Sequence, residues 1–157
     1  QSDRYQINLI NFLPEFILFL IFLQIIIGAF VSGMDAGKIY NSWPLMGNSY
    51  FPDDSKLLQL FTLEALSDPS LVQFLHRNLA YLIFFTYLML IYVVVKRRIS
   101  QLIKPISILG LIILIQIILG ILTVLSGAGI ILASLHQLSS IFLISSALFF
   151  LYKNRFS

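Results

Sequence analysis

Cysteine is absent from the 157 residues. That excludes disulfides, thiolate metal sites and iron–sulfur clusters. Charge is scarce: Asp, Glu, Lys and Arg make up 11% of the chain, against about a quarter in soluble domains. Histidine occurs only twice. What fills the chain is apolar, with 59% hydrophobic residues, and this balance belongs to the membrane class. The net charge of +3 does not point to nucleic acid, because the basic residues cluster in short segments between apolar runs. The partner that composition implies is membrane lipid. The first residue is Gln1, which suggests a processed chain or part of a longer one.

The apolar runs give four expected spans, near 13–32, 71–95, 105–125 and 130–152. Gln1 to Asn11 is polar and carries Asp3 and Arg4. Pro14 and Glu15 stand at the entrance of the first span, where a proline is tolerated and a carboxylate suits the helix dipole. This run is too long for the core of a signal peptide and is followed by no small-residue cleavage site. The loop from Gly33 to Ser70 is net acidic. Within it Leu57, Leu58, Phe61, Ala65 and Leu66 recur at helical spacing, which fits a short helix in the membrane interface or a packed turn. Asp68-Pro69 reads as a helix cap followed by Pro at the first helical position. From Pro105 to Tyr152 no residue is formally charged. That stretch exceeds one span and divides at Ser126-Gly127-Ala128-Gly129, a turn signal.

The fold class is therefore all-α: a four-transmembrane-helix bundle, because backbone groups in lipid must satisfy one another. Lys96-Arg97-Arg98, Lys104, Lys153 and Arg155 put the short basic segments inside. Both termini are then expected in the cytoplasm and the long acidic loop outside, in a bacterial inner membrane or, less readily, a mitochondrial one.

An internal repeat is visible. Gln24-Ile25-Ile26-Ile27-Gly28 matches Gln116-Ile117-Ile118-Leu119-Gly120, and Leu75-His76 matches Leu135-His136. Each His is followed sixteen residues later by a tyrosine, Tyr92 or Tyr152. Two similar helical hairpins are expected, related by an axis along the membrane normal. His76 precedes Lys96 by twenty residues and His136 precedes Lys153 by seventeen, so at about 1.5 Å per residue both lie at similar depth near the outer face.

A histidine within a span needs a partner, and two at one level suggest a group held between them. Zinc fits poorly, since it wants four ligands and no carboxylate lies within a helical turn of either His. A proton relay calls for acidic residues in the spans, which have none beyond Glu15. A haem iron needs two axial imidazoles and a slot lined by small side chains, such as Gly28, Ala29, Ala80, Gly120, Ala133, Ser139 and Ser140. Those small residues also serve close helix packing. Arg77 is placed either to pair a haem propionate or to snorkel to lipid phosphate. Gln24 and Gln116 are expected to bond between helices rather than to a ligand.

These residues resemble a family. The run Ala36-Gly37-Lys38-x-Tyr40-Asn41-x-Trp43-Pro44-Leu45-Met46, within Gly28 to Met46, resembles the loop after the fifth span of haem A synthases of the proteobacterial and mitochondrial type. Gln73-Phe74-x-His76-Arg77-x-x-Ala80-Tyr81 resembles the start of that family's sixth span. Gln116-x-x-Leu119-Gly120-Ile121-x-Thr123 and Leu135-His136-Gln137 resemble its seventh and eighth. The resemblance covers nearly the whole chain and implies the C-terminal half of an eight-span enzyme that oxidises a methyl group of haem O to the formyl group of haem A, for cytochrome oxidase. It implies a haem b between His76 and His136, with iron as the metal and Arg77 beside it. It implies no catalytic residue in this half: the family's catalytic glutamate belongs to the N-terminal half, three residues before that half's own His-Arg, and the corresponding position here is Gln73. The implied partners are an N-terminal half or its equivalent and a supplier of haem O, namely haem O synthase. The lack of cysteine matches the subgroup without paired cysteines in its outer loops. A free-standing bis-histidine b-type cytochrome and a remnant without function are the competing readings.

Overall fold

The fold comes from a computed structural model that describes the backbone of residues 2–156 and the side chains of residues 9–156. Asp3 and Arg4 lie outside the described side chains. Four helices follow one another up and down: α1 (Ser2–Gly33), α2 (Pro69–Lys96), α3 (Ser100–Leu125) and α4 (Ile130–Phe156). All four are long and apolar enough to cross a membrane. Among the described residues there is no strand, only an isolated bridge between Met46 and Ser49. The chain is a four-helix, multi-pass membrane bundle.

The helix ends follow local chemistry. Asp68 caps α2, its carboxylate accepting from the backbone N–H groups of Ser70 at 2.9 Å and Leu71 at 3.2 Å, and Pro69 opens the helix where no N–H is needed. The α3–α4 turn closes with Ala128 N–H donating to Thr123 O at 2.8 Å and Gly127 N–H to Val124 O at 3.0 Å. That pattern needs a left-handed residue after the helix, and Gly127 supplies it at φ 68°.

Two prolines sit deeper than their sequence positions suggest. The helix α3 starts at Ser100, so Pro105 lies past its first turn. The helix α1 runs back to Ser2, so Pro14 is interior rather than at the entrance. An interior proline leaves the carbonyl four residues earlier without its N–H partner. Here that carbonyl belongs to Ile10, and the Asn154 side chain donates to it at 3.0 Å. Glu15, next to the proline, pairs with Arg155 rather than serving a helix N-terminus. Both contacts tie the end of α4 to the start of α1.

The packed core fills the half of the bundle that holds the helix ends at Ile10, Val94, Leu102 and Phe150. Ile17, Ile21, Leu90, Leu109 and Phe150 are fully buried there. In lipid such packing gains from close contact rather than from expulsion of water. One small residue sets the approach of α2 to α3: a Cβ on Gly110 would lie 2.0 Å from the Tyr87 hydroxyl oxygen. Toward the loop end the packing thins on three of the helices, while α2 stays buried through Ser70–Gln73. No residue of α1 after Ile27, of α3 after Gln116, or of α4 before Leu143 is buried.

The long loop carries three short 3-10 turns, Ala36–Lys38, Leu57–Phe61 and Leu63–Leu66. The apolar run at 57–66 is thus not one α-helix. It breaks at Thr62, which is extended at φ −119°, after the Gln59 side chain has accepted the Lys56 N–H at 2.7 Å. Ala65 is buried, while Leu57, Leu58, Phe61 and Leu66 are exposed.

Replacing Gly110 with Ala is expected to destabilise the bundle by about 1–3 kcal/mol, the cost of overpacking. Thermal unfolding of the detergent-solubilised protein should show the drop in midpoint.

Candidate functional site

The loosely packed end is where the repeated residues meet. Gln24 on α1 donates through Nε2 to the His76 carbonyl on α2 at 3.1 Å. Gln116 on α3 donates through Nε2 to the His136 carbonyl on α4 at 3.3 Å. The glycine one turn further along each glutamine helix faces the same histidine. A Cβ on Gly28 would lie 3.1 Å from His76 Cε1, and one on Gly120 would lie 3.2 Å from His136 Cε1. Each hairpin thus carries the same three-part unit: a glutamine that fixes the histidine backbone, and a glycine that leaves room for its ring.

The two units face each other. The imidazole centroids of His76 and His136 are 6.3 Å apart, with ring planes 81° from parallel. Both Nδ1 atoms are buried without a hydrogen-bond partner, a state seldom met among buried polar atoms. Among the described residues no three His, Cys, Asp or Glu side chains come together as a metal cluster. The pair therefore suits a group that asks the protein for two nitrogens only. Two metal–imidazole bonds of about 2 Å each, with the half-widths of the rings behind them, place the ring centroids about 6 Å apart. A haem iron with two axial histidines fits the pair.

Arg77 points elsewhere than to the ring pair. Its guanidinium donates to three loop carbonyls: Nη2 to Tyr40 O at 3.0 Å, and Nη1 to Ser42 O at 2.9 Å and Leu45 O at 3.3 Å. Its Nε is buried with no partner. Buried Gln73 adds a further donor to Tyr40 O at 3.0 Å. Trp43 donates to the Tyr81 hydroxyl at 3.2 Å, and the Tyr50 hydroxyl to Asn78 Oδ1 at 2.5 Å. Asn41 reaches the other hairpin, donating to Val124 O at 3.2 Å. The motif from Ala36 to Met46 is thus strapped to the outer end of α2 and to the α3–α4 turn.

A carboxylate secures the middle of the loop. Asp54 accepts from the Tyr40 hydroxyl at 3.0 Å, the Ser70 hydroxyl at 2.7 Å and the Ser55 hydroxyl at 3.3 Å. Partial burial pushes its carboxyl up, but these hydrogen bonds outweigh the burial and hold it below the ordinary carboxylate range. The Tyr40 phenol is raised, first by burial and then by its bond to Asp54 and the charge there.

Sequence reasoning put His76 and His136 at one depth and expected Gln24 and Gln116 to bond between helices; in the structure each glutamine bonds to a histidine backbone on the neighbouring helix. It did not foresee the loop straps. The signal available for them was the density of polar residues on α2 between Gln73 and Tyr81.

Residues 4–148 match the COX15-CtaA model, described as cytochrome oxidase assembly protein. The chain belongs to this family. Curated relatives include the heme A synthase of Pelagibacter ubique, 45% identical over 96% of this chain and 44% of that protein. The heme A synthase of Wolbachia pipientis wMel is 44% identical over 86% of this chain and 37% of its own length. That of Rickettsia prowazekii is 40% identical over 85% of this chain and 40% of its own length. The chain spans less than half the length of these relatives. No solved structure matches it.

Two outcomes follow for this family member's loop. Arg77→Gln removes the guanidinium bonds to Tyr40 O, Ser42 O and Leu45 O, and limited proteolysis should cut the segment between 36 and 51 faster than in the parent chain. The Asp54 carboxyl is depressed, so its contribution to holding the loop is present above the ordinary carboxylate value. That contribution is lost as pH falls through the lowered one. Protection of the loop from an acid-active protease should fall at that end, and Asp54→Asn should lack the pH step.

Proposed function

We propose that this chain is the haem b-holding half of a haem A synthase, the enzyme that converts haem O to haem A for cytochrome oxidase. The observation that carries the reading is the facing pair His76 and His136, 6.3 Å apart between ring centroids and built by a repeated unit on two hairpins. The curated relatives are named heme A synthases, and the chain's four spans match under half of each.

His76 and His136 would hold the iron, one from each hairpin. When bound, the haem would supply one-electron redox chemistry. Gly28 and Gly120 keep the ring-facing space clear. Gln24 and Gln116 hold the two backbones that carry the imidazoles. Arg77 binds the loop over the outer end, and its unpartnered Nε is the donor left for a haem propionate. Gln73 is an amide that donates to Tyr40 O and cannot act as a carboxylate base, so the oxidation itself belongs to an N-terminal half or its equivalent. The haem O would come from a haem O synthase. The short basic segments at Lys96–Arg98 and Lys153–Arg155 support an orientation in a bacterial inner membrane with both termini on the cytoplasmic side and the strapped loop outside.

The test is an absorption spectrum of the detergent-purified protein, oxidised and dithionite-reduced, beside His76→Ala and His136→Ala. A low-spin b-type spectrum that disappears or turns high-spin in both variants is the expected result. A folded helical protein that takes up no haem would overturn the reading. Joining the chain to its other half and assaying haem O conversion then separates a synthase half from a free-standing cytochrome.

A further inference from the structure

The two repeated units differ at one atom. Gln24 Nε2 lies 3.1 Å from the His76 carbonyl and also 3.2 Å from His76 Nε2. A carbonyl only accepts, so the –NH2 end of the Gln24 amide is the end that faces His76. That group has two hydrogens, one for the carbonyl and one for the ring nitrogen. The nitrogen that receives it must hold its lone pair, which places the ring proton on Nδ1. A neutral imidazole has one such lone pair, and a metal ion binds through that same pair.

At the other unit the amide goes elsewhere. Gln116 Nε2 donates to the His136 carbonyl at 3.3 Å and to the Ser139 hydroxyl at 2.7 Å. Ser139 in turn donates to the His136 carbonyl at 3.0 Å. The repeat explains the difference. Ser139 stands three residues after His136, and the residue three after His76 is Leu79, which has no hydroxyl. Without a second acceptor on α2, the spare hydrogen of Gln24 turns to the ring.

We propose that Gln24 competes with the iron for the lone pair of His76 Nε2, making His76 the exchangeable axial ligand and His136 the permanent one. This rests on the bis-histidine haem reading above. Gln24 is a positioning residue, since it acts through His76. Its consequence is a site with one firm and one releasable ligand, although the sequence repeat makes the two histidines look equivalent.

The experiment uses the haem-loaded protein, reduced with dithionite and mixed with carbon monoxide, which enters only as an axial histidine leaves. The variants are Gln24→Met and Gln116→Met, which keep size but remove the amide donor. Leu79→Ser is added to give α2 the acceptor that α4 has. Gln24→Met should slow carbon monoxide binding by about tenfold, the scale on which groups behind a metal ligand act. Leu79→Ser should slow it in the same direction, and Gln116→Met should change it less than Gln24→Met does. In His76→Ala the iron should stay bound and react at once with carbon monoxide, whereas His136→Ala should lose the haem. An unchanged rate in both Gln24→Met and Leu79→Ser, or an equal drop in Gln116→Met, overturns the proposal while leaving the ligand pair intact. Low-spin spectra that survive in His76→Ala and His136→Ala would instead remove the haem reading on which it stands. Leu79→Ser keeps the test decisive if Gln24→Met does not fold.

Discussion

Hydrocarbon gives a polar group no water to fall back on, so every amide, hydroxyl and imidazole in the spans needs a partner from the protein. The organisation of this bundle depends on how that demand is met. At the end holding the termini it is met at one break in the ladder, where Pro14 frees the Ile10 carbonyl and Asn154 takes it. At the other end the glutamines of α1 and α3 each reach across to the backbone of a histidine. These bonds tie the two helices of each hairpin together where apolar packing has thinned. They also leave the imidazole rings pointing at each other with buried nitrogens unfilled.

The division of labour along the bundle axis follows from the same chemistry. Large aliphatic and aromatic side chains lock one half, and Gly110 lets Tyr87 press against the α3 backbone. In the other half Gly28 and Gly120 let the histidine rings lie close against α1 and α3. A flat prosthetic group would complete that half, so binding and folding of the loop end are coupled in the proposed function. The bonds from Arg77, Gln73 and Trp43 strap the loop to the loop end of α2, while Asn41 ties it to the other hairpin.

Repeated architecture does not mean repeated chemistry. The two glutamine–histidine–glycine units share their backbone contacts and differ in one side chain, Ser139 against Leu79. In a medium where a donor must find an acceptor, that one hydroxyl redirects an amide hydrogen and changes what the ring nitrogen can do.

Much of this was legible from the chain itself. The scarcity of charge, the four apolar runs, the Asp68-Pro69 cap and the turn around Gly127 follow from residue chemistry over short spans of sequence, and so did the fold class. The repeat and the spacing from the basic segments put His76 and His136 at one depth, because helical rise converts residue number into height. Local signals put Pro14 at a helix entrance and left Leu57 to Leu66 as a short helix or a packed turn. In the first case a residue more than a hundred positions away supplied the missing partner, and in the second the extended backbone of Thr62 interrupts the helical spacing. What only the tertiary structure decided is which acceptor each donor meets. Arg77 chose loop carbonyls, Gln24 chose a ring nitrogen and Gln116 chose a hydroxyl. Such choices depend on distances between separate helices, and no pattern along a single chain segment encodes them.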